Sequence, residues 1–385
     1  MTSPIAIVGA GIGGLSCALA FQRLGHEVRV FEQADVLEEV GAGIGLWPGA
    51  IKSLSEIGIA PGFWQSRMCP FREAETAAPD GRTLVRFDVA EFTADAPGFV
   101  LRRSDLHRSL VDSVAPGTIT LGAGVTGVTQ DSQSAVLDFA NGTRVEAPIV
   151  IGADGLRSVV RAALFGEQPP RYSGETCYRG MADFSVVDTG MLREVQGSGL
   201  RCAVHPIDAD HVYWWAARRS PADIDESPDQ RKQILQQLYA GWKGGFPEAL
   251  AKTSAAQILK NDLFDRAPLP SWYTGRVALL GDAAHPTTPN LGLGGCMAIE
   301  DGLVLARAFA ENPDNHSSAF AQYQAERQTR TRRVVRTSAM FGRLGSFTNP
   351  VAIWARELVM RATPTRLMKG TFVREVGYDP GPLRR

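Results

Sequence analysis

The chain has 385 residues, 44% of them hydrophobic and 21% charged, with a formal net charge of −1. That size and balance suit one large domain or two interleaved ones, and they exclude a nucleic-acid binder that works by overall basicity. Charge is nonetheless uneven: residues 326–385 carry 13 Lys+Arg against 4 Asp+Glu, which leaves 27 against 37 in residues 1–325.

In chain order, IAIVGAGIGGLSCALAFQRLGHEVRVFE at 5–32 reads as strand, glycine turn, helix, a stop at Gly25 and a second strand. This is a βαβ unit. SAVLDFANGTRVEAPIVIGADG at 134–155 shows alternating strands around the Asn141-Gly142 turn, then an apolar strand ending in an acid. Between about 171 and 258 the pattern turns β-rich, as in HVYWWAARR at 211–219, followed by a helical stretch at 227–242. This middle section reads as a second domain inserted into the first. After Gly302 the pattern is helical, notably at 317–344 and 349–364, the latter bounded by prolines. There is no internal repeat and no low-complexity tract.

Gly9, Gly11 and Gly14 form GxGxxG directly after a strand and at the start of a helix, the context that makes this pattern informative. Gly9 permits the tight turn, Gly11 lets a pyrophosphate approach the backbone N–H groups, and Gly14 allows close packing. Glu32 ends the next strand, where a carboxylate can accept hydrogen bonds from an adenosine ribose. Two further strands end alike: IGADGLRSVVR at 151–161 and RVALLGD at 276–282. Three such strand ends would surround one extended cofactor, whereas a plain NAD dehydrogenase needs only the first.

The five cysteines, odd in number and never in CxxC spacing, indicate neither a disulfide framework nor a metal site. The N-terminus lacks a secretory pattern and no run of about 18 apolar residues occurs. A cytoplasmic protein with reduced thiols is expected.

Together GxGxxG at Gly9, the Asp154-Gly155 pair and the Gly281-Asp282 pair resemble the single-component, FAD-dependent class A flavoprotein monooxygenases, the p-hydroxybenzoate hydroxylase family. YSGETCYRGM at 172–181, RVALLGDAAHPTTPNLG from Arg276 and GRLGSFTNPVAIWARELVMRATP from Gly342 are similar to the branch holding alkylquinolone 3-hydroxylases, zeaxanthin epoxidase, urate hydroxylase and 6-hydroxynicotinate hydroxylase. The resemblance implies an α/β fold: a Rossmann-like FAD-binding (GR2-type) domain at 1–72, 99–170 and 269–345, an interleaved β-sheet substrate domain at 73–98 and 171–268, and a C-terminal helical region at 346–385. It implies non-covalent FAD, reduction by NADPH or NADH, and hydroxylation of an aromatic or conjugated small molecule by O2 through a flavin C4a-hydroperoxide. A monomer or homodimer, without nucleic acid, is expected.

For individual residues the resemblance implies a cofactor loop at Gly9, Gly11, Ile12, Gly13 and Gly14. Asp282, after Gly281, would hold the ribityl chain, and Arg103, in preference to Arg102, would reach the ribityl and pyrophosphate region. Asp154 would lie near the pyrophosphate and the NAD(P)H path, with Arg161 close by. The loop Pro289, Gly292, Leu293, Gly294, Gly295 would bring helix N-terminal amides to the pyrimidine edge of the flavin, where reduction places negative charge. Leu293 replaces the family's usual Gln, and Gly49 replaces Asn in Pro-Asn-Ala. Trp47, Tyr178, Arg201, Tyr213, Trp215 and Pro289 are candidates for the substrate pocket. His285 reads as structural, and the basic C-terminal helices as docked on the acidic body, with membrane contact unfavoured. A polyene epoxidase or a non-catalytic FAD redox protein are the competing readings. A flavin halogenase is disfavoured because no WxWxIP is present.

Overall fold

The computed structural model describes residues 4–37, 42–60, 62–65, 69–89, 98–185 and 190–383. It is an α/β protein built on two large sheets. A six-stranded sheet has the order Tyr273–Thr274, Val277–Leu279, Val150–Gly152, Ile5–Val8, Val28–Phe31, Ile119–Thr120. Its central strands run parallel and are buried on both faces, which accounts for their unbroken apolar character. In this register Val8 pairs with Gly152, and Gly152 with Leu279. Three loops distant in sequence therefore leave the sheet side by side, at the carboxyl ends of parallel strands where such sheets bind ligands.

A seven-stranded sheet has the order Leu259–Asp265, Arg171–Asp183, His211–Arg219, Leu200–Pro206, Met191–Gln196, Glu73–Ala77, Thr83–Asp88. One face is covered by helices Pro228–Leu238 and Phe246–Lys252, which bury Tyr178, Trp214, Cys202 and Tyr239 in a core of their own. Gly180 is required there, because a Cβ would stand 2.4 Å from the Trp214 ring.

The expected βαβ unit, the hairpin around Asn141-Gly142 and the helix after Ser227 all form, the last with a capping box between Ser227 and Gln230. Helix Gly294–Glu311 is sheathed by Ile12–Arg23 and His316–Gly345. The long C-terminal pattern resolves into His316–Gly345, Pro350–Ala362 and a further helix, Thr365–Val376. The chain end is clasped to the body: Lys52 Nζ donates to Asp379 at 3.1 Å, Leu383 N donates to Glu56 at 2.8 Å, and Arg307 donates to the Pro380 carbonyl. All five cysteines are free.

Gly302 allows the close crossing of Gly294–Glu311 and Ile12–Arg23, since a Cβ there would lie 2.7 Å from the Cys17 backbone nitrogen. Gly302→Ala should therefore lower stability by about 1–3 kcal/mol, overcoming the roughly 1 kcal/mol gain in helix propensity. Urea denaturation monitored by circular dichroism checks this.

Candidate functional site

The glycine loop after Ile5–Val8 is fixed from several sides. Gly9 has φ of +103°, a conformation open to glycine, and a Cβ on Gly14 would lie 2.0 Å from the Gly9 carbonyl oxygen. Glu32 accepts from Ala10 N at 2.8 Å and from Ala34 N at 3.0 Å, and His107 Nε2 contacts the Ala10 carbonyl at 2.8 Å. Gly11, by contrast, has no atom within 4 Å of a would-be Cβ, so this backbone is open to a close-approaching ligand.

The loop after Val277–Leu279 is held by a buried charge cluster. Asp301 accepts from Gly281 N at 3.1 Å, pairs with His285 Nε2 at 2.6 Å and accepts from Arg327 Nε at 2.7 Å. Glu300 pairs with Arg327 at 2.7 Å and Arg330 at 3.1 Å, and the Tyr378 ring packs over both guanidiniums. Burial works against the charge on Asp301, but His285 and Arg327 overcome it and hold the carboxyl down at about 2. His285 is thus a structural partner, as its sequence context suggests. Gly49 belongs to the same cluster: a Cβ there would meet Glu300 Oε1 and the Tyr378 carbonyl, each at 2.7 Å. That crowding explains the glycine where the family commonly has Asn.

These loops open into one cavity of approximately 750 Å³. Gly11, Ile12, Gly13, Arg103, Gly281 and Asp282 line one side of it, and Pro289, Gly292, Leu293, Gly294 and Gly295 another. The Leu293 side chain is itself buried in the core, and the helix beginning at Gly294 offers its first backbone N–H groups. Asp282 is exposed to the cavity, where the protein packed around it pushes its pKa up and His285 and Arg103 partly offset that.

The far wall is the open face of the seven-stranded sheet. Side chains alternate across a sheet, and the register Arg179↔Trp215, Met181↔Tyr213, Ala203↔Trp215 and His205↔Tyr213 fixes which ones share this face. Tyr213, Trp215, Arg201 and Trp47 line the cavity. Arg201 is almost fully buried and committed: Nη2 reaches Glu175 at 2.9 Å and Asn290 at 2.8 Å, tying the sheet to the Pro289–Leu291 turn.

Tyr178 does not line this cavity. It lies on the opposite parity to Arg179, and its hydroxyl is bound by Glu226 at 2.8 Å and Arg218 at 3.0 Å under the covering helices. Its neighbours Cys177 and Arg179 line the wall instead, as does His205, and sequence inspection had overlooked all three. Counting strand positions in twos from Tyr213 and Trp215 would have located His205 once the pairing was known. Trp215 Nε1 donates to His205 Nε2 at 3.2 Å, so the neutral ring carries its proton on Nδ1, and burial lowers its pKa to about 4.

Asp154 and Arg161 also stand apart from the cavity lining. Asp154 accepts from Ser158 Oγ at 2.5 Å and Val160 N at 3.1 Å, which braces the turn leading into Val159–Phe165. Arg161 donates to the carbonyls of Ala283 at 3.0 Å, Ala284 at 3.2 Å and Ala267 at 3.2 Å. It clamps the backbone beyond Asp282. Arg102 points to Met181 Sδ at 3.6 Å, leaving Arg103 as the arginine of this pair on the cavity.

A family profile described as FAD binding domain matches residues 2–338. The chain belongs to this FAD-binding family. It is 35% identical over 382 residues to the aurachin C monooxygenase/isomerase of Stigmatella aurantiaca, covering 98% of each chain. It is 34% identical to the 6-hydroxynicotinate 3-monooxygenase of Pseudomonas fluorescens, covering 87% of this chain and 90% of that one. Among solved structures, Klebsiella pneumoniae HpxO complexed with FAD and uric acid aligns with a TM-score of 0.90 at 26% identity, over 99% of this chain and 98% of that one.

The family resemblance and the α/β fold are thus established, and the cofactor is FAD. The residues present fit that group: an uncrowded Gly11 backbone at a helix start, a carboxylate ending the adjacent strand, and a second set of helix N-terminal amides across the same cavity.

Asp301 gives the site a defined acid limit. Its carboxyl is depressed from 3.8 to about 2, so its contribution of about 2 kcal/mol is complete above the unfolded pKa and disappears as pH falls through 2. Asp301→Asn leaves Arg327 and His285 without their charge partner and should cost about 3–5 kcal/mol at neutral pH. It should also flatten the acid limb of stability against pH, as read from denaturant midpoints between neutrality and pH ~2.

Proposed function

We propose that this protein is an FAD-dependent monooxygenase that uses NAD(P)H and O2 to hydroxylate an activated aromatic or heteroaromatic small molecule. The carrying observation is the single cavity that joins the glycine loops to an aromatic sheet wall. The relatives named as monooxygenases, which match over nearly the full length, support the same reading. We assign 73–98 and 171–268 to the substrate domain, 1–72, 99–170 and 269–345 to the FAD domain, and 346–385 to the C-terminal helices; strand membership in the two sheets supports this division.

When bound and reduced, FAD supplies activation of O2 and transfer of one oxygen atom to the substrate. The chain supplies position and surroundings. Asp282 and Arg103 offer an acceptor and a donor to the cofactor, and the amides at the start of Gly294–Glu311 would favour negative charge on a group placed before them. Tyr213 and Trp215 give flat faces for an aromatic substrate, and Phe71, Leu192, Phe341 and Phe372 add apolar surface to a wall that also carries charged groups such as Arg179, Glu194 and Asp262. His205 stays neutral at physiological pH, so the wall around Tyr213 gains no charge from it. Arg201, held by Glu175 and Asn290, fixes the distance between the sheet and the Pro289–Leu291 turn.

Purified protein should carry FAD and oxidise NADPH or NADH faster when a suitable phenol, hydroxyquinoline, purine or hydroxypyridine is added, giving a product heavier by one oxygen atom. Slow oxidation unaffected by every compound would favour a redox-sensing flavoprotein, and oxygen insertion only into polyenes would favour an epoxidase. Asp282→Ala should reduce FAD retention by roughly tenfold or more, the order expected for losing one charge-assisted hydrogen bond to the cofactor; the flavin absorbance recovered after gel filtration measures it.

A further inference from the structure

Helix Pro350–Ala362 turns its amphipathic character outward. Its buried residue is an arginine: Arg356 is 5% exposed and donates to the carbonyls of Leu344 at 3.2 Å, Gly345 at 3.4 Å and Gly197 at 3.5 Å. Its solvent face carries Val351 at 72%, Trp354 at 60%, Leu358 at 43% and Val359 at 63% exposure. The spacing of Val351, Trp354 and Leu358 places them along one stripe. Glu357, an acid beside that stripe, is paired with Arg82 at 2.8 Å. Leu367, 64% exposed at the start of the next helix, extends the apolar character. Isolated exposed apolar residues are ordinary, but a stripe of them on a helix that buries its arginine marks a surface meant to be covered.

Charge decides between the possible covers. Arg361 lies at the end of the stripe and Arg366 beside Leu367, both exposed. An anionic lipid surface satisfies both features, taking the apolar stripe among its acyl chains and the cations at its headgroups. Among the described residues no helix is long and apolar enough to cross a membrane, so the contact is peripheral. The neighbouring helix Thr365–Val376 turns Met368, Phe372 and Val376 to the cavity, so the surface that meets lipid adjoins a cavity wall.

We propose that the outer face of Pro350–Ala362, with Leu367 and Arg366, is a docking surface for anionic lipid bilayers. This reverses the expectation that the C-terminal helices serve only to cover the body, and it stands whatever reaction the cavity performs.

The test is flotation of the full FAD-loaded chain with phosphatidylcholine vesicles, with and without phosphatidylglycerol, at low and high salt. Binding should require the anionic lipid and weaken with salt. The exposed pairs Trp354→Glu with Val359→Glu, and Arg361→Glu with Arg366→Glu, should each weaken it by ~10-fold or more, given about 1 kcal/mol per cation near such a surface. Unchanged thermal unfolding and FAD content would show that both variants remain folded. Failure of the wild type to bind anionic vesicles overturns the proposal, as does binding that both variants retain. A wild-type dimer that Trp354→Glu dissociates, without vesicle binding, overturns it in favour of an interface between copies.

Discussion

Asp301 is the residue on which the geometry of the cavity depends. Its two oxygens gather the amide of Gly281, the ring of His285 and the guanidinium of Arg327, so one carboxylate ties the third strand-end loop to the long helix Gly294–Glu311 and to the C-terminal helix beyond it. The neighbouring Glu300 extends the cluster to Arg330 and presses against Gly49. Buried ion pairs are uncertain sources of stability because desolvation opposes the Coulombic gain. Their value here is directional. A hydrophobic residue in place of Asp301 could fill the volume but could not fix the amide of a glycine with φ of +59°.

The seven-stranded sheet solves a different problem, that of serving two interiors. Its covered face is a packed core in which Tyr178, Trp214 and Tyr239 have their polar atoms satisfied by Glu226, Thr253 and backbone carbonyls. Its open face keeps aromatic and polar groups along the cavity. The alternation within Tyr213-Trp214-Trp215 separates the two: the middle ring belongs to the core and its neighbours to the cavity. A shift of pairing by one residue would exchange these roles, and the core would lose its largest side chain.

The sequence made the local features readable. GxGxxG in its strand-turn-helix setting, the Asn141-Gly142 hairpin and the helix after Ser227 are written in adjacent residues, and each forms. Features set by partners far along the chain were less accessible. Tyr178 sits between Cys177 and Arg179, which line the wall, but its parity is fixed by pairing with a strand some forty residues away and its hydroxyl by Glu226, 48 residues on. Arg161 follows an acid-glycine motif that suggests ligand contact, yet its guanidinium is taken by carbonyls 106 to 123 residues later. The glycine at position 49 was a departure without a reason until Glu300 and Tyr378 were found against it.

The order of strands in the six-stranded sheet also bears on how the protein is made. Ile5–Val8 lies beside Val150–Gly152, some 145 residues later in the chain, whose other neighbour is Val277–Leu279. A ribosome must therefore emit most of the polypeptide before the central sheet can close, and the Asp301 cluster waits longer still for Arg327. The nascent N-terminal half exposes apolar strand edges throughout that interval, a condition that favours slow, non-local folding and dependence on chaperones. The segment 379–383, held by Lys52, Glu56 and Arg307, joins the body later than either sheet strand.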